Sequence, residues 1–526
     1  MSFSVRLPED RPYIKYYLLC FIYGGLLMYF EITTAKMIVP FYGASVKVWA
    51  TVLCGVLTGL SIGYYLGGRI DKRDALGISS LIAGVYIFIM PLVTPPLFEL
   101  FYSIGNNIGL VLSGFVLCLL PSIFFGMLSP VLVNVLCKDV EDTGSVVGWI
   151  FTISTAGGVL MAIISGFWLI PILGVRISCF VIGVLMLLVS IGFTLTLSGT
   201  RYLLTLATVL MFIGITVTVG YGTIRKQPDF IKYSRVGFYG ELIVADLLHE
   251  KNGKEVKARL LLNNRIAQSF INLETGLSEW RYIHYLDLLS SIKPYGSRVL
   301  MLGLAGGSLV NEMIDMGFEV DAVDIDERVY KIALDYFNLS PKCRFFVDDA
   351  RRFLNSTRSK YDIVVIDLFS AESQPFHVFT LEAFKKIRQI LNDDGIVLIN
   401  FHEHVFGNKG KGLRSVYKTM IEAGFLMNYL NTSETDEDRN NILIGSNRMI
   451  DWQVAGLRKR SIYQQRGINL PIRLKTINQQ MLAQDYILTD DKPVFEVINE
   501  EAFRDWREHA IENYLLGLNK MGFPIF

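Results

Sequence analysis

Seven apolar runs, each long enough to cross a lipid bilayer as a helix, occupy the first 221 residues of the chain. They lie at about residues 13–35, 46–69, 76–95, 108–136, 145–170, 174–197 and 202–221. A backbone in lipid must satisfy its own hydrogen bonds, so runs of this kind fold as a helical bundle. The first run is too long to be a signal peptide and is not followed by a clear cleavage site. We therefore expect a multi-pass membrane bundle over residues 1–222, with the lipid bilayer as its partner.

The number of crossings decides on which side of the membrane the rest of the chain lies. The run at 108–136 is overlong and contains Pro121 and Pro130, so it predicts either one kinked helix or a break that creates an eighth crossing. Positive charge before the first run favours a cytoplasmic N-terminus, and basic residues between Arg225 and Arg235 favour the same side for the C-terminal half. We predict a protein of the inner (cytoplasmic) membrane whose residues 225–526 face the cytoplasm, which requires an even number of crossings.

Two charged residues lie within the first apolar segment, in the stretch "EITTAKMIVPFYGASVKVW". Glu31 and Lys36 are candidates for a functional role, because ionisable groups inside a membrane are costly. The alternative is that both lie near a helix end and extend to the interface.

Overall charge and cysteine usage exclude several classes of function. The chain carries 50 Lys+Arg and 49 Asp+Glu, a net charge of +1. Its overall electrostatic field therefore gives no reason to expect a nucleic-acid partner. Five of the six cysteines lie in apolar stretches before residue 180 without paired spacing, which argues against disulfides and zinc. His402 and His404 share one strand face, but no clear third ligand accompanies them. We expect no metal.

After Tyr221 the pattern changes to that of a water-soluble protein. Residues 223–278 alternate in short β-type runs around turns, which predicts a small antiparallel sheet. Over residues 279–450, apolar strands alternate with helical patterns, which predicts a Rossmann-like α/β domain with a mainly parallel sheet. Residues 451–526 form a polar tail that we expect to be mostly helical.

A glycine-rich turn opens this α/β domain, within "VLMLGLAGGSLVNEMIDMGFEVDAVDID" (Val299–Asp326). Its small residues follow the first strand and let a ligand and the next helix approach closely; they are Gly303, Ala305, Gly306 and Gly307. Carboxylates end the next three strands. Asp324 would bind ribose hydroxyls, and Asp349 would lie near an adenine amino group. Asp367 would face the reacting centre. Ligands of open parallel sheets bind beyond the strand C-termini, so these acids should converge on one cleft.

This order of motifs resembles class I S-adenosylmethionine-dependent transferases, and most closely the spermidine synthase (polyamine aminopropyltransferase) family. The resemblance covers about residues 235–450 and rests on "YGELIV", "NNRIAQS", "SEWRYIHYL", "GLAGGS", "VDIDERV", "DDARRFL" and "YDIVVIDLFS". "QPFHVFTLEAF" (Gln374–Phe384) and "LTDD" (Leu488–Asp491) are similar to a membrane-fused branch of the family. "GYYLGGRIDKR" (Gly63–Arg73) resembles a loop of major facilitator transporters, which implies an N-terminal module of that type.

The resemblance implies a transferase that moves an aminopropyl or related alkyl group from a sulfonium nucleoside to an amine. Decarboxylated S-adenosylmethionine or S-adenosylmethionine itself would be the co-substrate, and a small amine or polyamine the acceptor. Asp367 would orient the amine and accept its proton. The substrate pocket would be lined by Gln268, Tyr282, Ser370, Glu372 and His377, although His377 could equally be a packed, hydrogen-bonded histidine. Assembly as a homo-oligomer stays open.

Three departures from the family pattern bear on the reaction. Gly306 stands where the family usually has an acid that grips the donor amine, Ser370 stands where a second acid follows Asp367, and the Tyr-His-Glu run reads Tyr282-Ile283-His284. Polyamine ammonium groups need carboxylate partners, and the remaining nearby candidates are Asp367, Glu372, Glu279, Asp490 and Asp491. Two alternatives therefore stand beside aminopropyl transfer: methyl or aminocarboxypropyl transfer from S-adenosylmethionine, and a non-catalytic nucleoside- or polyamine-binding module that regulates a membrane partner.

Overall fold

A computed structural model of the chain describes residues 12–42, 46–70, 75–104, 106–137, 143–195, 206, 208, 210, 214, 228–251, 253–368, 375–432, 440–450, 461–468, 470–492, 494–503 and 516–521. These residues belong to two compact units. One runs to Pro228 and takes in Val236–Gly240 and the last residues from Leu516, while the other consists of Asp229–Arg235 and Glu241–Leu515.

Apolar helices make up the N-terminal unit. They are α1 (Pro12–Tyr42), α2 (Val46–Gly67), α3 (Ala75–Ile104), α4 (Asn106–Gly126), α5 (Leu128–Leu136), α6 (Thr143–Ile164) and α7 (Ile170–Phe193), with a π-helical turn at Ser165–Leu169 between the last two. By length and apolar composition, five helices among the described residues could cross a membrane: Ile14–Tyr42, Val46–Gly67, Ala75–Phe98, Asn107–Leu136 and Thr143–Phe193. The last contains a break at Gly174, whose φ of +77° interrupts the helix.

The run at 108–136 does not divide into two crossings. The helix is interrupted at Met127, between the two prolines where we expected a break, because Pro130 has no N–H to donate to the carbonyl of Gly126. The N–H of Met127 still bonds to Ile123 and that of Val131 to Met127, so the helical course continues. This run therefore forms one candidate span, Asn107–Leu136, and gives no support for an eighth crossing, so the predicted cytoplasmic placement rests on other grounds.

Small residues let the helices of this unit approach closely. A Cβ on Gly24 of α1 would clash with the carbonyl oxygen of Ser154 in α6, and one on Gly157 of α6 would clash with the carbonyl oxygen of Phe21. Glu31 is only 9% exposed and lies inside the candidate span Ile14–Tyr42 rather than at its end. The Glu31 side chain is therefore buried within the described helices, away from the ends of its own helix.

A four-stranded antiparallel sheet begins the second unit. Its strands β1 (Ile231–Gly237), β2 (Gly240–Lys251), β3 (Lys254–Asn263) and β4 (Ile266–Asn272) lie side by side in chain order. Asn264 and Arg265 both have positive φ at the turn between β3 and β4, which suits a tight two-residue hairpin. The hairpin directs β4, and with it Gln268 and Ser269, back along β3.

A seven-stranded mixed sheet follows, and it confirms the predicted Rossmann-like α/β fold. Its strands are β5 (Arg298–Leu302), β6 (Glu319–Asp324), β7 (Arg344–Val347), β8 (Tyr361–Ile366), β9 (Leu391–His402), β10 (Leu426–Asn431) and β11 (Asn440–Ser446), in the spatial order β10-β11-β9-β8-β5-β6-β7. The first five strands are parallel, and β10 and β11 add an antiparallel edge. The strand order reverses between β5 and β8, so their C-terminal ends border the crevice where such sheets bind ligands.

Helices cover both faces of this sheet. They are Arg281–Ser290, Ser308–Asp315, Glu327–Phe337, Ala350–Ser356, Leu381–Ile390 and Lys411–Glu422. Successive residues of one strand enter different cores: Val299 and Met301 of β5 pack on one side, and Leu300 and Leu302 on the other. Burial of both faces explains why the strands read as continuous apolar runs rather than alternating ones.

The structure describes the C-terminal tail only in part, so its mostly helical character stays a prediction. Its described part carries short helices at Ile462–Gln465, Gln479–Leu482 and Phe495–Ile498, joined by extended chain. Lys475 forms an antiparallel bridge with Tyr429 of β10. This bridge joins the tail to the edge strand of the sheet.

Candidate active site

The glycine-rich turn is shaped by the close approach of two strand ends. Gly303 follows β5 with φ +93°, and a Cβ there would clash with the carbonyl oxygen of Asp367 at the end of β8. Ala305 and Gly307 also have positive φ, +46° and +74°. The left-handed conformation of Ala305 is unfavourable for a residue with a Cβ. The turn therefore holds an unusual backbone conformation directly beside Asp367.

Asp324 fixes this turn from the end of the neighbouring strand β6. Its Oδ2 accepts a hydrogen bond from the N–H of Leu304 at 3.0 Å, and its Oδ1 accepts one from the N–H of Asp326 at 3.0 Å. Burial raises the pKa of the Asp324 carboxyl, and these backbone donors lower it in part. Each oxygen keeps a further lone pair, so the carboxylate can still accept hydrogen bonds from a ligand.

Asp367 is held by side chains on both of its oxygens. Its Oδ1 accepts a hydrogen bond from Asn400 Nδ2 at 2.8 Å, and its Oδ2 accepts one from the Tyr282 hydroxyl at 3.3 Å. Burial raises the pKa of Asp367, while the hydrogen bonds from Asn400 and Tyr282 lower it. Burial, followed by the nearby charge of Asp367, raises the pKa of Tyr282 well above its usual value. The result is a fixed carboxylate with an elevated proton affinity, suited to accepting a proton.

Asn400 was not among the site residues expected from the sequence. It stands in β9 within "GIVLINF", where an amide interrupts a strand that is otherwise apolar. Its side chain is 6% exposed, and its Oδ1 has no hydrogen-bond partner in the part of the chain that the structure describes. A lone amide in a buried apolar strand was the signal that could have identified it.

Five of the expected site residues are brought together around one cavity: Gln268, Tyr282, Ala305, Gly307 and Asp367. The same cavity is lined by Ser269, Ser278, Trp280, Met301, Leu304 and Ser308, among others. Among the described residues, Gln268 Nε2 donates two long hydrogen bonds to backbone carbonyls of its own strand, at 3.3 and 3.4 Å. Ser370 and Glu372 lie outside the described residues.

Asp349 and His377 are not among the residues that line this cavity, and they contact each other. His377 Nε2 is 3.1 Å from Asp349 Oδ2, while Asp349 Oδ1 caps the helix Ala350–Ser356 by accepting from the N–H of Arg352 at 3.0 Å. Both side chains of the pair are more than one-third exposed. His377 is thus hydrogen-bonded to the acid that we expected to meet an adenine ring.

Asp490 pairs with two side chains of the α/β domain. Its Oδ2 accepts from Arg351 Nη2 at 2.7 Å, and its Oδ1 accepts from the Thr380 hydroxyl at 2.6 Å. Arg351 also donates to the backbone carbonyl of His377 at 3.0 Å. The "LTDD" segment therefore anchors the chain around His377, while a role for Asp490 in binding an acceptor ammonium group stays a prediction.

Gly306, at the position where the resemblance expects a donor-binding acid, packs closely against two side chains. The N–H of Gly306 donates to Ser269 Oγ at 2.8 Å. A Cβ on Gly306 would lie 2.8 Å from Ser269 Oγ and 2.9 Å from Phe337 Cδ1, closer than real Cβ contacts. Glu279, another candidate acid, accepts from Asn272 Nδ2 at 3.1 Å.

The two histidines of "NFHEH" do not assemble a ligand set. Across the described ranges, no group of three His, Cys, Asp or Glu side chains could hold a metal ion. His402 Nδ1 instead contacts the side-chain oxygen of Asn440 on the neighbouring strand β11.

The sequence of the α/β domain is similar to that of several known proteins. Residues 286–431 match the family described as spermine/spermidine synthase domain. The chain is 34% identical over 111 residues to an N-terminal histidine N-methyltransferase of Emericella nidulans, which covers 20% of each chain. It is 33% identical over 120 residues to a polyamine aminopropyltransferase of Vibrio vulnificus, covering 22% of this chain and 40% of that protein.

A longer match involves polyamine aminopropyltransferase 2 of Aquifex aeolicus. It is 22% identical over 428 residues and covers 77% of this chain and 83% of that protein. A match of that length extends into the apolar N-terminal region. By contrast, this chain spans less than half of the length of the first two relatives. The family match and the two aminopropyltransferases support the resemblance that the motifs indicate for the α/β domain.

Proposed function

We propose that this protein is a membrane-anchored, spermidine-synthase-like transferase that moves an aminopropyl or related alkyl group from a sulfonium nucleoside to an amine. The observation that carries the proposal is the Asp367 carboxylate, which Tyr282 and Asn400 hold at 3.3 and 2.8 Å beside the glycine-rich turn. A buried carboxylate fixed on both oxygens at the reversal of strand order is suited to orienting a nucleophile and taking its proton.

In the proposed reaction, a neutral amine attacks a carbon that is bonded to the positively charged sulfur. The new carbon–nitrogen bond forms as the carbon–sulfur bond breaks, and the sulfur leaves with the bonding electrons as a neutral thioether. No general acid is required. The nitrogen becomes positively charged and transfers one proton to Asp367. Gln268 and Tyr282, which line the cavity, would shape the space for the alkyl group.

The donor's nucleoside would bind along the C-terminal ends of β5, β6 and β7. Asp324 would accept hydrogen bonds from ribose hydroxyls with the lone pairs that Leu304 and Asp326 leave free. Asp349 would accept from the adenine amino group, and His377 would line the same end of the cleft. Ser370 and Glu372 complete the proposed acceptor side.

A second candidate is the transfer of a methyl or aminocarboxypropyl group from S-adenosylmethionine. It is favoured by Gly306, which offers no carboxylate to bind a decarboxylated donor's ammonium group. A relative named N-terminal histidine N-methyltransferase, 34% identical over 111 residues, agrees with methyl transfer. Both candidates use the same cleft and the same proton acceptor.

Turnover of the two donors by the full-length protein in detergent tests the proposal. The protein is incubated with S-adenosylmethionine or its decarboxylated form and a panel of amines, and products are identified by the mass gained by the acceptor. Asp367→Asn serves as the inactive control. If the protein consumes neither donor but still binds an adenosyl thioether, the enzyme proposal is wrong. The domain would then be a non-catalytic nucleoside-binding module.

We also propose that the α/β domain faces the cytoplasm from the inner membrane. The sulfonium donor is made and kept in the cytoplasm, so a domain on the other side would need a separate supply. The basic residues between Arg225 and Arg235 agree with this side.

A further inference from the structure

A buried tyrosine from the C-terminal tail lies behind the candidate active site. Tyr463, in the short helix Ile462–Gln465, is fully buried. Its ring stacks on that of His284, with centroids 3.8 Å apart and the planes at 27°. Its hydroxyl donates a hydrogen bond to Glu312 Oε1. Tyr463 thus contacts two different helices of the α/β domain.

Each of these two helices forms a wall of the cavity. His284 belongs to the helix Arg281–Ser290, which carries Tyr282, and its Nε2 lies 2.8 Å from the carbonyl oxygen of Ser278. Ser278 and Tyr282 both line the cavity. The aromatic contact with Tyr463 therefore supports the wall that positions the Tyr282 hydroxyl.

Glu312 belongs to the opposite wall. It lies in the helix Ser308–Asp315, which starts directly after the glycine-rich turn and whose first residues line the cavity. Glu312 is 3% exposed, and burial, reinforced by the nearby Asp287, raises its pKa well above the ordinary value. Its Oε2 has no hydrogen-bond partner among the described residues. The Tyr463 hydroxyl therefore supplies a hydrogen bond that a buried carboxyl strongly requires.

The tail segment that carries Tyr463 is itself fixed to the first wall. Asp287, fully buried in the helix Arg281–Ser290, accepts hydrogen bonds from the Ser461 hydroxyl and from the backbone N–H groups of Ile462 and Tyr463. These donors belong to the start of the tail helix, so Asp287 acts as its cap. Because backbone and ring are both anchored, the Tyr463 hydroxyl has a defined position toward Glu312.

We propose that Tyr463 is a positioning residue that sets the separation of the two cavity walls, the Ser278–Tyr282 wall and the Ser308–Val310 wall, and thereby the affinity for the adenosyl donor. The inference rests on the proposed function. Without the hydroxyl, both oxygens of Glu312 lack a partner in a buried site, and the helix Ser308–Asp315 shifts until the carboxyl finds one. The glycine-rich turn, joined directly to that helix, shifts with it.

The test compares two buried tyrosines whose hydroxyls donate hydrogen bonds to different acceptors. Tyr463→Phe keeps the ring on His284 and removes the hydroxyl, which donates to Glu312 and also accepts from the backbone N–H of Ser278 on the first wall. Tyr417→Phe is the matched control, because the Tyr417 hydroxyl donates to the backbone carbonyl of Met427 at 2.9 Å in the other core, away from the cavity. Calorimetry measures the binding of S-adenosylhomocysteine and methylthioadenosine to the full-length protein, and thermal unfolding is followed in parallel.

Both variants are expected to lower the unfolding temperature, but only Tyr463→Phe is expected to weaken nucleoside binding, by about tenfold. Glu312→Gln keeps an acceptor for the Tyr463 hydroxyl and should retain nearly normal affinity, whereas Glu312→Leu should reproduce the loss. Equal affinities of Tyr463→Phe and the wild-type protein, with lowered unfolding temperature, would reduce Tyr463 to a purely structural residue. If the wild-type protein bound neither nucleoside, the proposed function would fail instead. If Tyr463→Phe does not fold, the contrast between Glu312→Gln and Glu312→Leu decides the question.

Discussion

Asn400 Nδ2 donates a hydrogen bond to Asp367 Oδ1 at 2.8 Å, across the parallel strands β9 and β8. The Tyr282 hydroxyl occupies the other oxygen at 3.3 Å. Both donors favour the ionised form of a carboxyl whose pKa is raised by burial. The strength of Asp367 as a proton acceptor is therefore a balance between burial and these two hydrogen bonds.

Removal of the amide should move the pH dependence of the reaction. Asp367 accepts a proton only when ionised, and Asn400→Leu removes a donor that lowers its pKa. The acidic limb of the pH profile of kcat/KM is therefore expected to shift to higher pH. Asn392→Leu is the control, because Asn392 Nδ2 donates to Asp362 Oδ1 at 2.6 Å across the same two strands. A profile unchanged by Asn400→Leu would show that Asp367 is not the titrating group.

Asp367→Asn should separate catalysis from donor binding. An amide keeps the shape of the side chain but cannot accept the amine's proton, and losses of this kind run to about 10²–10⁴-fold. We expect turnover to fall by that factor, while the affinity for an adenosyl thioether stays nearly unchanged. Steady-state kinetics with an identified acceptor and calorimetry on the same preparation measure the two quantities. Near-normal turnover would assign the proton acceptor to another residue.

Asp324→Ala should weaken nucleoside binding by about tenfold or more. The change removes the proposed acceptor for ribose hydroxyls, and hydrogen bonds to charged groups contribute about 1.5–3 kcal/mol. It also frees the N–H of Leu304 in the glycine-rich turn. Asp335→Ala, an exposed carboxylate on the next helix, is the control. Calorimetry that gives equal affinities for Asp324→Ala and the control would remove Asp324 from the donor site.

Asp287 should make the domain less stable as the pH rises. Burial raises its pKa to about 7 in the folded state, whereas an unfolded chain ionises this carboxyl near pH 4. Between about pH 4 and pH 7 the folded protein holds a proton that the unfolded chain has released, so the free energy of unfolding falls through this window. The change is on the order of 1.4 kcal/mol for each pH unit and ends above the folded-state pKa.

Asp287→Asn should flatten this dependence, because the amide does not titrate. Thermal unfolding of the full-length protein across the same window, with the exposed Asp315→Asn as control, measures the difference between the slopes. Identical slopes for Asp287→Asn and the wild-type protein would mean that the buried carboxyl does not titrate there.

Reporter fusions should place the α/β domain in the cytoplasm. We expect a reporter joined after Tyr221 to be active on the cytoplasmic side, because the donor is made there. A fusion after Gly68, before the basic residues Arg69, Lys72 and Arg73, is the internal reference and should report the same side. The run at 108–136 forms one candidate span rather than two. Activity of the first reporter only outside the cell would overturn the assignment and require an external supply of donor.

The sequence alone determined the architecture, because the patterns that indicate helices and strands depend only on the order of residues along the chain. Apolar runs of bilayer length predicted the helices, and buried strands separated by helical segments predicted the α/β sheet. The turn at Gly303 and the acids at strand ends were visible because parallel strands place their C-termini at one edge. These features depend on period and order along the chain, which the sequence contains directly.

Tertiary structure alone decided which side chains meet. Asn400 and Asp367 are 33 residues apart, Arg351 and Asp490 are 139 apart, and Tyr463 and Glu312 are 151 apart. Each pair meets only when strands register or the tail packs against the domain, and no local period encodes such a contact. For the same reason, the motif named Asp490 only as a candidate partner for an ammonium group, while its ion pair with Arg351 depends on the three-dimensional path of the tail.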